Sequence, residues 1–386
     1  MNGAPTNRIT VFFEADDFLA LLTGDSCDDW TIGGAEVQQS YLARSFAVDE
    51  RFHVVLAANR PRPAALDDGF TYVQIPAHLK RGLPIAGRIV NLLRSRATFD
   101  TVKPPAVFLQ TQYERFDLTY AAQRAGIKIV RWINGDSLVD GSNLIDETAR
   151  RRLNYRLKMA DALVAQSPHQ QQLIAQNLHR ESTVIGSIVP AMGGVGAEAD
   201  THTDTHTRFG ARTALWVGRC HPVKNPEAFL DLAETLPEVY FTLVAAPCDA
   251  TQEYQDAITT RANSLSNVTL HAGLSLDATQ RLYGQVSLCV NTSHSEGMPN
   301  TLIEAFAAGI PTAALTVNPE GLLVEENGCF CAEGDPKDLA RWIQRMLDDV
   351  VLYAAQCDKV QLGAKKQWSN EKVVDDYYRL FVDVTR

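Results

Sequence analysis

No apolar run in the 386-residue chain approaches the roughly 20 residues that a bilayer-spanning helix needs. The N-terminus, MNGAPTNRITVFFEADD, lacks the basic-then-apolar order of a secretory signal, and a cytoplasmic protein is therefore expected. Two nucleotide fingerprints are missing too. There is no Gly-x-x-x-x-Gly-Lys-Ser/Thr loop, and no Gly-x-Gly-x-x-Gly follows a strand-like run, which counts against kinase-type and simple dinucleotide sites. No Asp-x-Asp occurs, so a diphosphate would be held without the clustered carboxylates that a bridging metal wants. Cysteine is sparse: the seven residues are odd in number and several lie inside apolar runs, which points to free thiols. Cys329 and Cys331 have neither a second pair nor a nearby histidine to complete a zinc site, and no metal is expected.

With 45% apolar and 21% charged residues the composition is that of an ordinary globular protein, and the length suggests two domains. The net charge of -10 argues against a nucleic-acid binder. That charge is uneven. Residues 1–190 hold 21 basic and 20 acidic side chains, whereas His78 to Lys158 alone holds 15 against 7. Within that patch, HLKRGLPIAGRIVNLLRSR spaces Ile85, Ile89, Leu92 and Leu93 at helical intervals among Lys80, Arg81, Arg88, Arg94 and Arg96. A basic amphipathic helix of this kind suits an anionic membrane surface, and equally the solvated face of a core-packed helix.

Short apolar, β-branched runs alternate with helical periods. Strands are expected at Ile9–Phe13, Phe52–Ala57, Thr71–Ile75, Val107–Leu109, Ile127–Trp132, Ala162–Ala165 and Thr183–Ile185, with helices such as Ala35–Ala47 and Gln170–Asn177 between them. From Pro190 the stretch PAMGGVGAEADTHTDTHTRFGART has no period and reads as a linker over 191–210. His202 and His206 within it are four apart, a spacing that fits one helical face or plain flexible chain. Alternation then resumes with strands at Ala214–Val217, Tyr240–Ala245, Val268–His271, Leu288–Asn291 and Pro311–Leu315, and helices such as Pro226–Glu234 and Pro299–Ala308. The fold class is α/β, with domains over 1–190 and 211–369 whose parallel sheets present strand ends to a cleft, where ligands of such folds bind.

The stretch SEGMPNTLIEAFAAGIPTA, Ser295 to Ala313, carries two glutamates around a helix start. Pro299 suits the first helical position, Gly309 and Pro311 end the helix, and Met298 is left at the cap with no side-chain oxygen for the N–H groups of Asn300 and Thr301. Those donors suit an anion, with Gly297 allowing close approach; water or Ser295 would serve as well. Glu296 and Glu304 are up to about 12 Å apart along a helix, too far for the carboxyl pair of a retaining glycosidase, which needs about 5 Å. Two acceptors flanking an anion site fit hydroxyl groups at either end of a molecule whose middle is phosphate. Upstream, VGRCHPVKN places Arg219 and Lys224 just after a strand, where two cations can neutralise a diphosphate without metal.

In these residues the chain resembles the retaining glycosyltransferases of GT-B fold in family four. The resemblance is carried by Gly218, Arg219, Lys224 and Asn225, then Ser293, Glu296, Gly297 and Pro299, then Glu304, Ala305, Ala308, Gly309 and Pro311. Pro319, Glu320, Asn327 and Gly328 continue it, and Gly33-Gly34-Ala35-Glu36 and ALVAQSPHQQQLI carry it in the first domain. The resemblance implies two Rossmann-like domains facing each other across a cleft, with C-terminal helices from Trp368 that cross back so that 370–386 packs on the first domain. It implies that Arg219 and Lys224 bind the donor diphosphate, that Glu304 holds ribose hydroxyls, and that Glu296 with the backbone at Gly297, Met298 and Pro299 holds the transferred sugar. Gly33 and Gly34 would approach the donor closely, and the loop with Gly273 and Leu274 would touch the base. Two positions depart from the family: RWINGDS sets Asn134 where a histidine is usual, able to hydrogen-bond a hydroxyl but not to carry a proton, and Ser187-Ile188 replaces an Asn-Gly.

The expected activity is metal-independent transfer of a hexose-type sugar, with retention, from a nucleotide-diphosphate sugar, UDP-sugar first among them, to a glycan or lipid-linked acceptor in surface polysaccharide or glycolipid synthesis. The alternatives are an inactive nucleotide-sugar-binding accessory protein, or an epimerase or phosphorylase on the same scaffold.

Overall fold

The computed structural model describes residues 8–24, 33–75, 93, 95–96, 98–99, 102, 105–111, 115–140, 147–189, 205–248, 250–367 and 369–386. Contacts divide these into two units, one drawn from 1–188 together with Asn370–Arg386, the other from 189–369.

In the first unit the β-branched and aromatic runs form β1 (Ile9–Glu14), β2 (Phe52–Ala58), β3 (Thr71–Gln74), β4 (Ala106–Gln110), β5 (Lys128–Trp132), β6 (Ala162–Ala165) and β7 (Thr183–Val184). They lie in the order β3-β2-β1-β4-β5-β6-β7, and every pairing is parallel. Strands covered on both faces read as nearly continuous apolar runs, and alternate side chains serve opposite faces. In β1, Phe12 packs on Phe99 and Phe108 at ring distances of 4.7 and 4.9 Å, while Phe13 meets Phe18 and Phe46 on the other side. The C-terminal helix Asn370–Thr385 completes that second layer by setting the fully buried Tyr377 and Phe381 against Phe46 and Phe52. Arg51 joins it through 2.6 Å ion pairs to Asp49 and Asp375.

The second unit forms β8 (Thr213–Arg219), β9 (Tyr240–Ala246), β10 (Val268–His271), β11 (Leu288–Asn291), β12 (Thr312–Ala314) and β13 (Phe330–Cys331). Their order is β10-β9-β8-β11-β12-β13, again wholly parallel. Each sheet therefore begins at its middle, winds to one edge, and returns to the other side. The reversal falls between β1 and β4 in one sheet and between β8 and β11 in the other, and the carboxyl ends of such neighbours open a crevice that binds ligands in folds of this kind.

Several expectations are corrected. Thr205–Ala211 is helical, so the linker read over 191–210 ends earlier; Phe209 packs on Tyr353 and Arg208 bonds the carbonyl of Ala308, contacts that a composition-based reading does not contain. His206 is exposed on that helix, and His202 lies outside the described residues. The helix after β11 is Asn300–Ala307, with Pro299 one step outside as its N-cap at ψ 133°, because proline's fixed φ serves either position. Two-residue β13 has no counterpart among the expected strands. Of the amphipathic stretch from His78, most residues lie outside the described ones, and Leu93 is 64% exposed. All six described cysteines are free.

Candidate functional site

At the switch point of the second sheet, β8 and β11 run side by side, with Leu288 opposite Ala214. Their outgoing turns are laced together. After β8, Pro222–Lys224 make one tight helical turn that Asn225 ends in the left-handed conformation, φ 52°. Asparagine tolerates that conformation better than most residues, and its side chain also caps the helix Pro226–Thr235 by accepting from the Ala228 N–H. The Lys-Asn pair thus has a local structural cause. Just past β11, the Thr292 hydroxyl accepts from the indole N–H of Trp216 at 2.9 Å and donates to the carbonyl of Asn225 at 2.7 Å. The His294 N–H reaches the carbonyl of Val223 at 2.8 Å. A Cβ on Gly218 would stand 2.8 Å from the Trp216 ring, so the glycine leaves the room through which the indole reaches Thr292.

This lacing brings Lys224 to Glu296, 72 residues away in sequence. The ammonium stands 2.6 and 2.7 Å from the two carboxylate oxygens, and the Ser293 hydroxyl donates to one of them at 2.7 Å. Lys224 retains 23% and Glu296 11% of its side-chain exposure, so water screens the pair only partly. Neither charge is then easily removed alone. Arg219 is exposed at the end of β8.

The helix Asn300–Ala307 begins behind this pair with no side chain capping it. Pro299's carbonyl accepts from the N–H groups of Leu302 and Ile303, and Gly297 has open space where a Cβ would be. Met298 packs its side chain beside Leu302, Phe306 and Leu323, which anchors the loop before the helix. A small cavity lies between these elements, lined by Cys289, Asn291, Glu296, Pro299 and Thr301 among others, with room of about 10 Å³, close to one water-sized group. Glu304, one turn further along, is only 4% exposed and lies near the Cys289 thiol. Burial pushes that thiol up to about 12, and the Glu304 carboxylate adds to the rise, so it stays protonated and is no nucleophile at neutral pH.

The other sequence-predicted residues are dispersed. Gly273, at φ 91°, and Leu274 follow β10, on the far side of β9 from Lys224. Gly33, Gly34 and Asn134 belong to the first unit. There Gly33 precedes the helix Gly34–Ala47, and its N–H donates to the Glu36 carboxylate at 2.9 Å; a Cβ would crowd that carboxylate at 2.8 Å. Half-buried Asn134 stands two residues beyond β5. Trp216 and Thr292 were missed by sequence reasoning, and the one available signal was Thr292's place beside Ser293. Among the described residues, no cluster of three His, Cys, Asp or Glu side chains has the arrangement of a metal site.

Residues 211–349 match the family described as glycosyl transferases group 1. A D-inositol 3-phosphate glycosyltransferase of Mycolicibacterium gilvum is 26% identical over 165 residues, 41% of this chain and 37% of that protein. An N-acetyl-alpha-D-glucosaminyl L-malate synthase of Bacillus anthracis is 27% identical over 112 residues, 28% of this chain and 29% of that one. These matches thus span about a third of the curated relatives' length. Among solved structures, a sucrose-phosphate synthase of Thermosynechococcus elongatus superposes with a TM-score of 0.73 at 16% identity, covering 98% of this chain and 99% of that one. Anabaena HepE in complex with UDP and glucose gives 0.71 at 16%, covering 97% and 100%. The chain shares the two-unit, parallel-sheet fold of these solved structures, which is the GT-B architecture, and the match to the group 1 glycosyl transferases lies within its second unit.

Proposed function

We propose that the chain is a retaining glycosyltransferase that moves a hexose-type sugar from a UDP-sugar to an acceptor hydroxyl. The observation that carries this reading is the Lys224–Glu296–Ser293 constellation at the switch point, with an uncapped helix start beside it. HepE, similar in fold, holds UDP and glucose, which favours uracil as the base. In the proposed reaction Arg219, Lys224 and the start of the Asn300–Ala307 helix stabilise the departing diphosphate electrostatically. The bond from the anomeric carbon to the diphosphate oxygen breaks, the acceptor oxygen bonds that carbon on the same face, and its proton passes to the diphosphate. No protein nucleophile is needed. Glu296 orients the sugar, Glu304 the ribose, and the loop at Gly273 and Leu274 meets the base. Gly33 and Gly34 allow close approach of the donor, and Asn134 serves the acceptor.

A thermal-shift panel of UDP-, GDP-, ADP- and dTDP-sugars tests the donor, because a ligand bound only by the folded state raises its melting point. UDP-sugars should give the largest rise. Turnover should fall about a hundredfold in Arg219→Ala and in Lys224→Ala. Wild-type turnover in both would refute the proposal, and UDP-sugar binding without release of UDP across many acceptors would favour an accessory protein instead.

Attachment to the anionic inner face of a membrane, and hence a lipid-linked acceptor, is a further part of the reading. The helix Glu147–Met159 exposes Arg151, Tyr155 and Lys158, and Tyr155 stands 6.0 Å from the ring of Phe116, itself 43% exposed. Aromatic and basic side chains together suit a headgroup layer. No described helix is long and apolar enough to cross a membrane. Flotation with anionic but not neutral liposomes is the expected result, and equal recovery with both would remove this part.

A further inference from the structure

The chain leaves the first unit at Ile188, and Val189 opens the second. The last strand before that exit is β7, Thr183–Val184, and the Ile185 N–H still donates to the carbonyl of Ala165 at 2.9 Å. Beyond it the backbone has left the sheet without reaching water: Ser187 is 4% and Ile188 1% exposed. Buried backbone groups need partners. Those of Ile188 find them 150 residues back, in the side chain of Gln38. The Gln38 carboxamide donates to the Ile188 carbonyl at 3.0 Å and accepts from its N–H at 2.9 Å, the exchange of two bonds that a paired strand would offer.

Gln38 is itself 2% exposed, and its helix, Gly34–Ala47, begins at the Gly33–Gly34 turn. Four residues of helix, about 6 Å of rise, separate Gly34 from the clamp. Local bonds make that stretch firm: the Gly33 N–H donates to Glu36, and the Gly33 carbonyl accepts from the Val37 N–H at 3.3 Å. Turn and exit segment are therefore two ends of one stiff piece, joined through a single side chain. Cores usually set apolar side chains at such positions, yet Gln38, Gln39 and Ser40 are all buried here, and the Ser187 hydroxyl, one residue from the clamp, has no hydrogen-bond partner among the described residues.

We infer that Gln38 is a positioning residue: it ties the chain's exit from the first unit to the Gly33–Gly34 turn, so that a displacement of the connecting chain is carried to that turn. The inference rests on the proposed function, in which the turn allows close approach of the donor. A helix passes such a displacement along because every turn is held by its own hydrogen bonds, and a misplacement of about 1 Å that begins far from the chemistry can cost about a hundredfold in rate. The competing account gives Gln38 no task beyond satisfying two buried backbone groups.

The experiment compares Gln38→Met, which keeps the length of the side chain and removes both bonds, with Gln39→Met, the same change at a neighbouring buried amide that does not bond Ile188. Turnover of a UDP-sugar should fall about tenfold to a hundredfold in Gln38→Met. The UDP dissociation constant should stay within about twofold of wild type, because Lys224 and Glu296 belong to the second unit. Gln39→Met should turn over like wild type. Hydrogen exchange by the full chain without ligand gives a second reading: the Gly33 and Val37 amides should exchange about tenfold faster in Gln38→Met, the factor that one lost hydrogen bond implies, and at the wild-type rate in Gln39→Met. Should Gln38→Met fail to fold, Gln38→Asn, shorter by one carbon, is read in the same way. Unchanged exchange at Gly33 would overturn the inference, as would wild-type turnover in Gln38→Met, equal losses in both variants, or a loss of UDP affinity that matches the loss of turnover. Absence of UDP binding or of turnover in the wild type would instead remove the proposed function and leave the exchange measurement to decide this one.

Discussion

The two parallel sheets reverse direction in the same way, yet the polar groups at their switch points are spent differently. Beside β4 in the first unit, Arg115 pairs with Asp117, two residues away, at 2.6 Å, and its backbone N–H donates to Glu14 at the end of β1. The Asp117 carboxylate is 9% exposed and also accepts from Ser95. At the matching place in the second unit, Lys224 pairs with a glutamate from a different strand end, beside a small cavity and a helix start. Both pairs are largely buried, but the first is made within one turn, whereas the second joins two strand ends, where the proposed function has the donor bind. The difference teaches that topology nominates a site and side-chain placement decides whether it is used.

Four measurements sharpen or break that contrast. The largest effect belongs to the first unit's core: Phe381→Ala removes a fully buried ring packed on Phe46, Phe52 and Tyr377 and should cost about 3 to 5 kcal/mol in chemical unfolding. UDP-induced stabilisation of the second unit should persist in that variant. Next, Arg115→Ala leaves Asp117 buried and uncompensated, for an expected loss of about 3 kcal/mol with UDP affinity held within about twofold. A tenfold weaker UDP affinity there would place Arg115 in the ligand site and dissolve the contrast. Thr292→Val then breaks the link from Trp216 to the Lys224 turn. It should cost about 1 to 3 kcal/mol, because the buried indole N–H loses its acceptor, and it should also reduce turnover, since Lys224 loses its register; unchanged turnover would show that the lacing does not position the cation.

The smallest effect concerns acid. Burial pushes the Asp117 carboxyl upward, but the Arg115 guanidinium and the Ser95 hydroxyl outweigh it and leave it below its ordinary 3.8. A carboxyl lowered in the folded state adds stability above its unfolded value and loses it as pH falls through the folded one. Melting temperature should therefore drop on acidification below about pH 4 more steeply in wild type than in Asp117→Asn, which no longer titrates there. Parallel curves would show that Asp117 contributes nothing to acid sensitivity.

Much of the fold was legible because strands buried on both faces announce themselves by composition. Ala162–Ala165, Val268–His271 and Leu288–Asn291 have the same bounds in sequence reading and structure. Where an element owed its form to partners distant in sequence, reading failed: Thr205–Ala211 looked like linker until Tyr353 and Ala308 were seen beside it. Of the candidate site, Lys224, Ser293 and Glu296 were all named in advance. Their mutual contact was not, and the two acids read as hydroxyl acceptors proved unlike, one paired with a lysine and the other nearly buried.

By itself the sequence determined the α/β alternation, the residue types at the turns, and which side chains were chemically fit to hold a diphosphate and sugars, since these depend on periodicity, on backbone preferences and on chemistry within a few residues. Only the tertiary structure decided that Trp216 reaches Thr292 and that Lys224 rests on Glu296. Those contacts join strand ends 70 or more residues apart, and no local pattern encodes a distance closed by packing.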